Sequence, residues 1–152
     1  NSMNKLLSIQ IYFKIMKNYP KNPHNPNRDR LIFSKAHDVK SLYCVLAERG
    51  YFPKKYLESY EKDNALLPGH SVRGVVPGIE VSAGSLGHGL SIGCGIAFSA
   101  KLDKKKFKVF VILSDGECQE GSTWEAILLL CTIKDILGQI HLTSRIKNFL
   151  FC

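Results

Sequence analysis

The chain has 152 residues, is 45% hydrophobic and 22% charged, and carries a net charge of +8. That length accommodates one domain with a real core, and the composition excludes a disordered or fibrous protein. The positive balance admits an anionic partner, but the lysines fall in runs (14–21, 54–55, 101–108) without a nucleic-acid motif. They read as solvated surface, with "DKKKFK" (103–108) a turn before a strand, and no nucleic-acid partner is expected.

Cys44, Cys94, Cys118, Cys131 and Cys152 are scattered, odd in number and form no CxxC pair. This argues against a disulfide framework or zinc site and for a reducing, cytoplasmic setting. The apolar N-terminal stretch is interrupted by Lys14 and shows no signal-peptide cleavage site. Val81 to Ala100 is uncharged, but Gly84, Gly87, Gly89, Gly93 and Gly95 make it a poor membrane helix, so no membrane partner is expected.

Leu6 to Met16 has helical apolar spacing through Leu6, Ile9, Tyr12, Phe13 and Met16, which predicts an amphipathic helix. The proline- and asparagine-rich "NYPKNPHNPNRDR" (18–30) is a loop, and "LIFS" (31–34) a short strand. Lys40 to Gly50 reads as a helix closed by its terminal glycine. Residues 51–79 are loop-rich, and "GSLGHGLSIGCGIAFSAKL" (84–102) is a glycine loop opening a helix from about Leu90. Phe107 to Leu113 is apolar at nearly every position, which predicts a strand covered on both faces, and a buried helix follows from about Ser122 to Ile133. The pattern predicts an α/β layered fold with a parallel sheet.

In such folds ligands bind beyond the carboxyl ends of the strands, where "SDGECQEGSTWEA" (114–126) begins. Asp115 followed by Gly116 suits a hard cation and a phosphate: oxygen ligands hold the ion, and glycine lets backbone N–H groups approach the anion. The competing reading is an aspartate capping the next helix.

Three further stretches accompany that loop: "SKAH" (34–37), "PGH" (68–70) and "PGIEVSAGSLGHGLSIG" (77–93). In order and spacing the set resembles the N-terminal segment of transketolase, whose signatures are S-K-G-H, a G-H-P loop, P-G-[IV]-E-V-[ST]-T-G-[SP]-L-G-Q-G and G-D-G-x-x-x-E-G-x-x-x-E-A. The resemblance runs from about Phe13 to about Leu130. "GHGLSIG" is not a dinucleotide fingerprint, because its third glycine falls one place late.

The resemblance implies the thiamin diphosphate-binding fold as an incomplete single domain, Mg²⁺, and transfer of two-carbon ketol units between sugar phosphates. By position Asp115 matches the Mg²⁺ ligand and Gly116 a diphosphate contact. Gly84, Leu86 and Gly87 match the loop along the cofactor, and His37 and His70 match histidines near the thiazolium and substrate, where imidazoles exchange protons near neutral pH. Glu120 and Glu125 match carboxylates at the family's dimer interface; without the resemblance they read as glutamates favoured near a helix N-terminus.

The chain departs from the family at Ala36 (glycine), Ser71 (proline), His88 (glutamine) and Ser114 (glycine), the last predicted to weaken diphosphate binding. Truncation at both ends is expected. The resemblance places the chain's start inside the family's first helix, and from about 131 to 152 the sequence leaves the family pattern, as an out-of-frame or foreign tail would. Arg145 stands where the family's second Mg²⁺ ligand, an asparagine, belongs, and Asn148 lies three residues late. The glutamate that activates the cofactor comes in this family from another domain. The expected partner is therefore a second copy or a separate C-terminal subunit, and the chain alone is expected to be inactive. Weighed beside this are another thiamin diphosphate enzyme of the deoxyxylulose-phosphate synthase type, and a non-catalytic remnant that only binds a partner.

Overall fold

The computed structural model describes residues 8–64, 66–133 and 138–143. Three strands, β1 (Arg30–Phe33), β2 (Val109–Ile112) and β3 (Ile140–Thr143), pair in parallel in the order β1-β2-β3. Helix α1 (Val39–Arg49) follows β1, α2 (His88–Leu102) precedes β2, and α3 (Gly121–Thr132) connects β2 to β3. The expected α/β parallel-sheet architecture is present.

Strand residues alternate between two cores, as the two-residue period of a strand dictates. Leu31, Phe33, Phe110 and Ile112 pack with α1 and the N-terminal segment on one face. Ile32, Val109, Val111 and Ile140 pack with α2 and α3 on the other. Every residue of β2 is buried, which explains its unbroken apolar sequence. Gly50 ends α1 in the left-handed region at φ 88, its N–H reaching Leu46 and Ala47 carbonyls, as its position predicts.

The N-terminal helix differs from expectation. Ile11–Ile15 form a π-helical turn in which the Met16 N–H reaches Ile11 O at 2.9 Å. That longer hydrogen-bonded ring brings Ile11 and Met16 onto one buried face and leaves Phe13 exposed, with the Arg49 guanidinium 5.4 Å from its ring centroid. Residues 1–7, including Leu6, lie outside the described set.

Buried Asp29 ties the amino end of the sheet together. Its carboxylate accepts the Lys17 N–H at 2.6 Å and the Lys108 N–H at 2.8 Å, joining the N-terminal loop to the approach to β2. Among the described residues, no helix is long and apolar enough to cross a membrane.

Helix α2 lies against the sheet at Gly93, where a β-carbon would come within 2.6 Å of Val111 Cγ2. Gly95, in the same helix, has open space around it. Gly93→Ala is therefore expected to destabilise the protein by about 1–3 kcal/mol through overpacking. Gly95→Ala should stabilise it by about 0.5–1 kcal/mol through helix propensity. Urea unfolding of the two variants reads the opposite signs.

Candidate functional site

Parallel pairing sets the carboxyl ends of β1 and β2 side by side, Phe33 against Ile112, and the Ser34 N–H continues the ladder to Ile112 O at 3.0 Å. Ser34–His37 and Ser114–Gly116 therefore leave the same edge of the sheet. Asp115 begins a 3-10 turn (Gly116–Gln119) but makes no side-chain cap hydrogen bond, and the N-cap of α3 is Glu120. The helix-cap reading of Asp115 is not realised; its carboxylate is exposed beyond β2.

The residue that organises this edge is Glu117, which is fully buried. Its carboxylate oxygens act only as acceptors. Oε1 takes the Ser34 hydroxyl and the Gly87 N–H (3.1 Å), and Oε2 takes the Ser114 N–H (2.8 Å) and the Ser114 hydroxyl (3.0 Å). Ser34 Oγ in turn accepts the Gly89 N–H at 3.2 Å. The N-cap Gly87 and Gly89 in the first turn of α2 thus donate to the Asp115 loop and to the end of β1, and the negative charge stands at the favourable end of the helix dipole.

The cofactor loop predicted at Gly84, Leu86 and Gly87 is held by the same set. Gly87 has φ 78, and its carbonyl accepts the Ser122 hydroxyl at 3.2 Å. A β-carbon there would stand 2.5 Å from Ser122 Oγ and 2.8 Å from Glu120 Cβ, so only glycine fits. The loop's upstream end is fixed by Glu80, which accepts from the two terminal guanidinium nitrogens of Arg28.

The His70 loop joins at two points. Ser71 O accepts the Ala83 N–H at 3.0 Å, and Ser82 Oγ accepts the Arg73 N–H at 3.0 Å. His70 Cδ2 lies 4.0 Å from where a β-carbon on Gly84 would be. Below it, the Tyr43 hydroxyl of α1 donates towards Pro68 O (3.2 Å) and His70 O (3.4 Å). Burial, and then the Tyr60 phenol, push the Tyr43 phenol up to about 12, so it stays a donor across the neutral range.

His37 is exposed in the 3-10 turn after β1, and Glu120 and Glu125 are exposed at the start of α3. Ala36, in place of the family's glycine, is fully buried, and Ser71, in place of its proline, is buried with its hydroxyl unpaired. Ser114 spends its side chain on Glu117. Arg145 and Asn148 lie outside the described residues. The Cys118 thiol is pushed up by burial and by the Glu117 and Asp115 charges, which argues against a nucleophilic thiolate.

Glu117 itself carries no mark in the sequence. It stands between Gly116 and Cys118 in a polar loop, and its donors lie up to 83 residues away. The pairing of a small hydroxyl at Ser34 with a glycine at Gly87 was the available signal, and it became readable only once the strands were in register.

A parallel α/β sheet with convergent loops at its carboxyl edge defines a ligand-binding domain of the open-sheet class. The family described as "Transketolase, thiamine diphosphate binding domain" matches residues 3–141, and the chain belongs to that family. It is 44% identical over 124 residues to an apulose-4-phosphate transketolase subunit of Actinobacillus succinogenes, covering 82% of this chain and 45% of that protein. It is 39% identical over 118 residues to the human transketolase, covering 77% of this chain and 19% of that protein. The crystal structure of the Campylobacter jejuni transketolase superposes on 91% of this chain and 22% of its own with a TM-score of 0.82 and 31% identity. The chain thus spans less than half the length of these relatives.

Replacing the Glu117 carboxylate by an amide turns acceptor positions into donors that face other donors. Glu117→Gln is expected to lower unfolding free energy by about 2–4 kcal/mol, measured by chemical denaturation.

Proposed function

We propose that the chain is the diphosphate-anchoring portion of a cytoplasmic, transketolase-type transferase that moves two-carbon ketol units between sugar phosphates. The observation that carries this reading is the exposed Asp115 carboxylate at the carboxyl end of β2, without a capping bond and followed by an exposed Gly116. A β-carbon on Gly116 would meet nothing within 4 Å, so there is room for an anion to approach its backbone.

These residues fit Mg²⁺ and a diphosphate. Mg²⁺ is commonly held by one or two carboxylates together with phosphate oxygens and water. Asp115 would hold the ion, Gly116 would contact the diphosphate, and Gly84, Leu86 and Gly87 would line the cofactor. When bound, thiamin diphosphate supplies the electron sink for carbon–carbon bond cleavage. His37 and His70 would hold or move protons at the substrate's hydroxyl and carbonyl oxygens.

The reading includes a partner: a second copy, or a separate C-terminal subunit carrying the activating glutamate. The Actinobacillus succinogenes relative is itself named as one subunit of its transketolase, which supports the second arrangement. Either arrangement accords with α3, which exposes Trp124, Leu128 and Leu129 along with Glu120 and Glu125. An apolar face of that kind, rimmed by carboxylates, favours a protein contact. On this reading the chain alone does not turn over.

Calorimetric titration with thiamin diphosphate and Mg²⁺ tests the site. Metal-dependent heat is expected from the wild-type chain and none from Asp115→Ala. Absence of binding by folded wild-type protein would overturn the cofactor assignment and leave a non-catalytic member of the family.

A further inference from the structure

At the opposite edge of the sheet, two lysine-bearing segments far apart in sequence converge. Asp29 holds the backbone of Lys17 and of Lys108 on its two carboxylate oxygens. Between these segments opens a cavity of about 440 Å³, lined by Lys17 and Tyr19 on one side and by Asp103, Lys104, Lys105 and Lys106 on the other. All four of these lysines are exposed, and among the described residues Asp103 is the only acidic one in the lining.

The helix dipole does not account for this concentration. A helix C-terminus presents about half a negative charge, and Lys101 already occupies the last turn of α2. The carbonyls there are also closed by backbone: the Lys104 N–H reaches Lys101 O at 3.0 Å and the Lys105 N–H reaches Ala100 O at 2.8 Å. This closure requires a left-handed residue after the cap, a place that favours glycine. Lysine fills it instead, with Lys104 at φ 54. A strained backbone at a lysine that lines a cavity points to a role for that residue in binding.

We infer that this groove, lined by Lys17, Lys104, Lys105 and Lys106, binds a small anion carrying two or more phosphates. Tyr19, which is 41% exposed, offers a ring face to any base such an anion carries. The site is independent of the cofactor reading, because it lies at the amino ends of the strands and contains no metal ligand set.

Calorimetric titration of the full chain with inorganic tripolyphosphate, adenosine triphosphate and inorganic monophosphate, in excess chelator, tests it. Both polyphosphates are expected to bind and monophosphate is not. Tighter binding of the nucleotide would assign a role to Tyr19, and equal binding would place the recognition in the phosphates; either supports the site. Lys104→Gly is expected to raise the melting temperature by about 2–4 °C by relieving strain. The same substitution should weaken polyphosphate binding about tenfold. Lys17→Glu should weaken it at least as much, and Asp115→Ala should leave it unchanged. No polyphosphate binding by wild-type protein, undiminished binding by both lysine variants, or loss of binding in Asp115→Ala would overturn the proposal.

Discussion

A carboxylate taken out of water costs several kcal/mol unless its lone pairs are met. In this chain the Glu117 carboxylate meets donors from three separate loops: Ser34 after β1, Gly87 before α2 and Ser114 after β2. None of those loops is fixed by its own sequence, since each is short, polar and rich in glycine or serine. Their mutual geometry follows from sharing one acceptor. The energetic demand of the buried charge thus becomes a positional constraint on the whole carboxyl edge, and Asp115 and Gly116 are presented to solvent because Glu117 is not.

The rest of the domain serves that edge. Parallel pairing of β1 with β2 brings Ser34 to Glu117, and the approach of α2 at Gly93 sets the height of the helix on the sheet. Gly87 lets the start of α3 press against the start of α2, with Ser122 donating to its carbonyl. The Arg28–Glu80 pair and the Tyr43 hydroxyl steady the approaches from further out. At the far edge Asp29 performs a related task with backbone N–H groups, and there the outcome is a lysine-lined groove.

Much of this was legible before any coordinates. The unbroken apolar run of β2 announced a strand with two covered faces, Gly50 announced a helix end, and the four loop motifs together pointed to the family. What escaped the sequence had one cause: the deciding partners are distant along the chain. Glu117 looked like an ordinary loop glutamate, because its donors are separated from it by as many as 83 residues. Ser114 stands where the family has glycine, and its hydroxyl donates to Glu117. The lysines are exposed, as their runs suggest, but that Asp29 brings two of the runs to one groove is not visible in the sequence. In the N-terminal helix the apolar spacing does not separate an α-helix from a π-turn, which the Met16 to Ile11 bond identifies.

The central claim is that the Glu117 carboxylate locks the loops of the site into one unit. Native-state hydrogen exchange at the Gly87 and Ser114 amides measures this directly, because an amide in a cooperative unit exchanges only when that unit opens. The account predicts that both amides exchange at the same slow rate, close to that of the β2 core, and that both become fast together in Glu117→Gln. Fast exchange at either amide in the wild-type chain, or independent rates for the two, would contradict it.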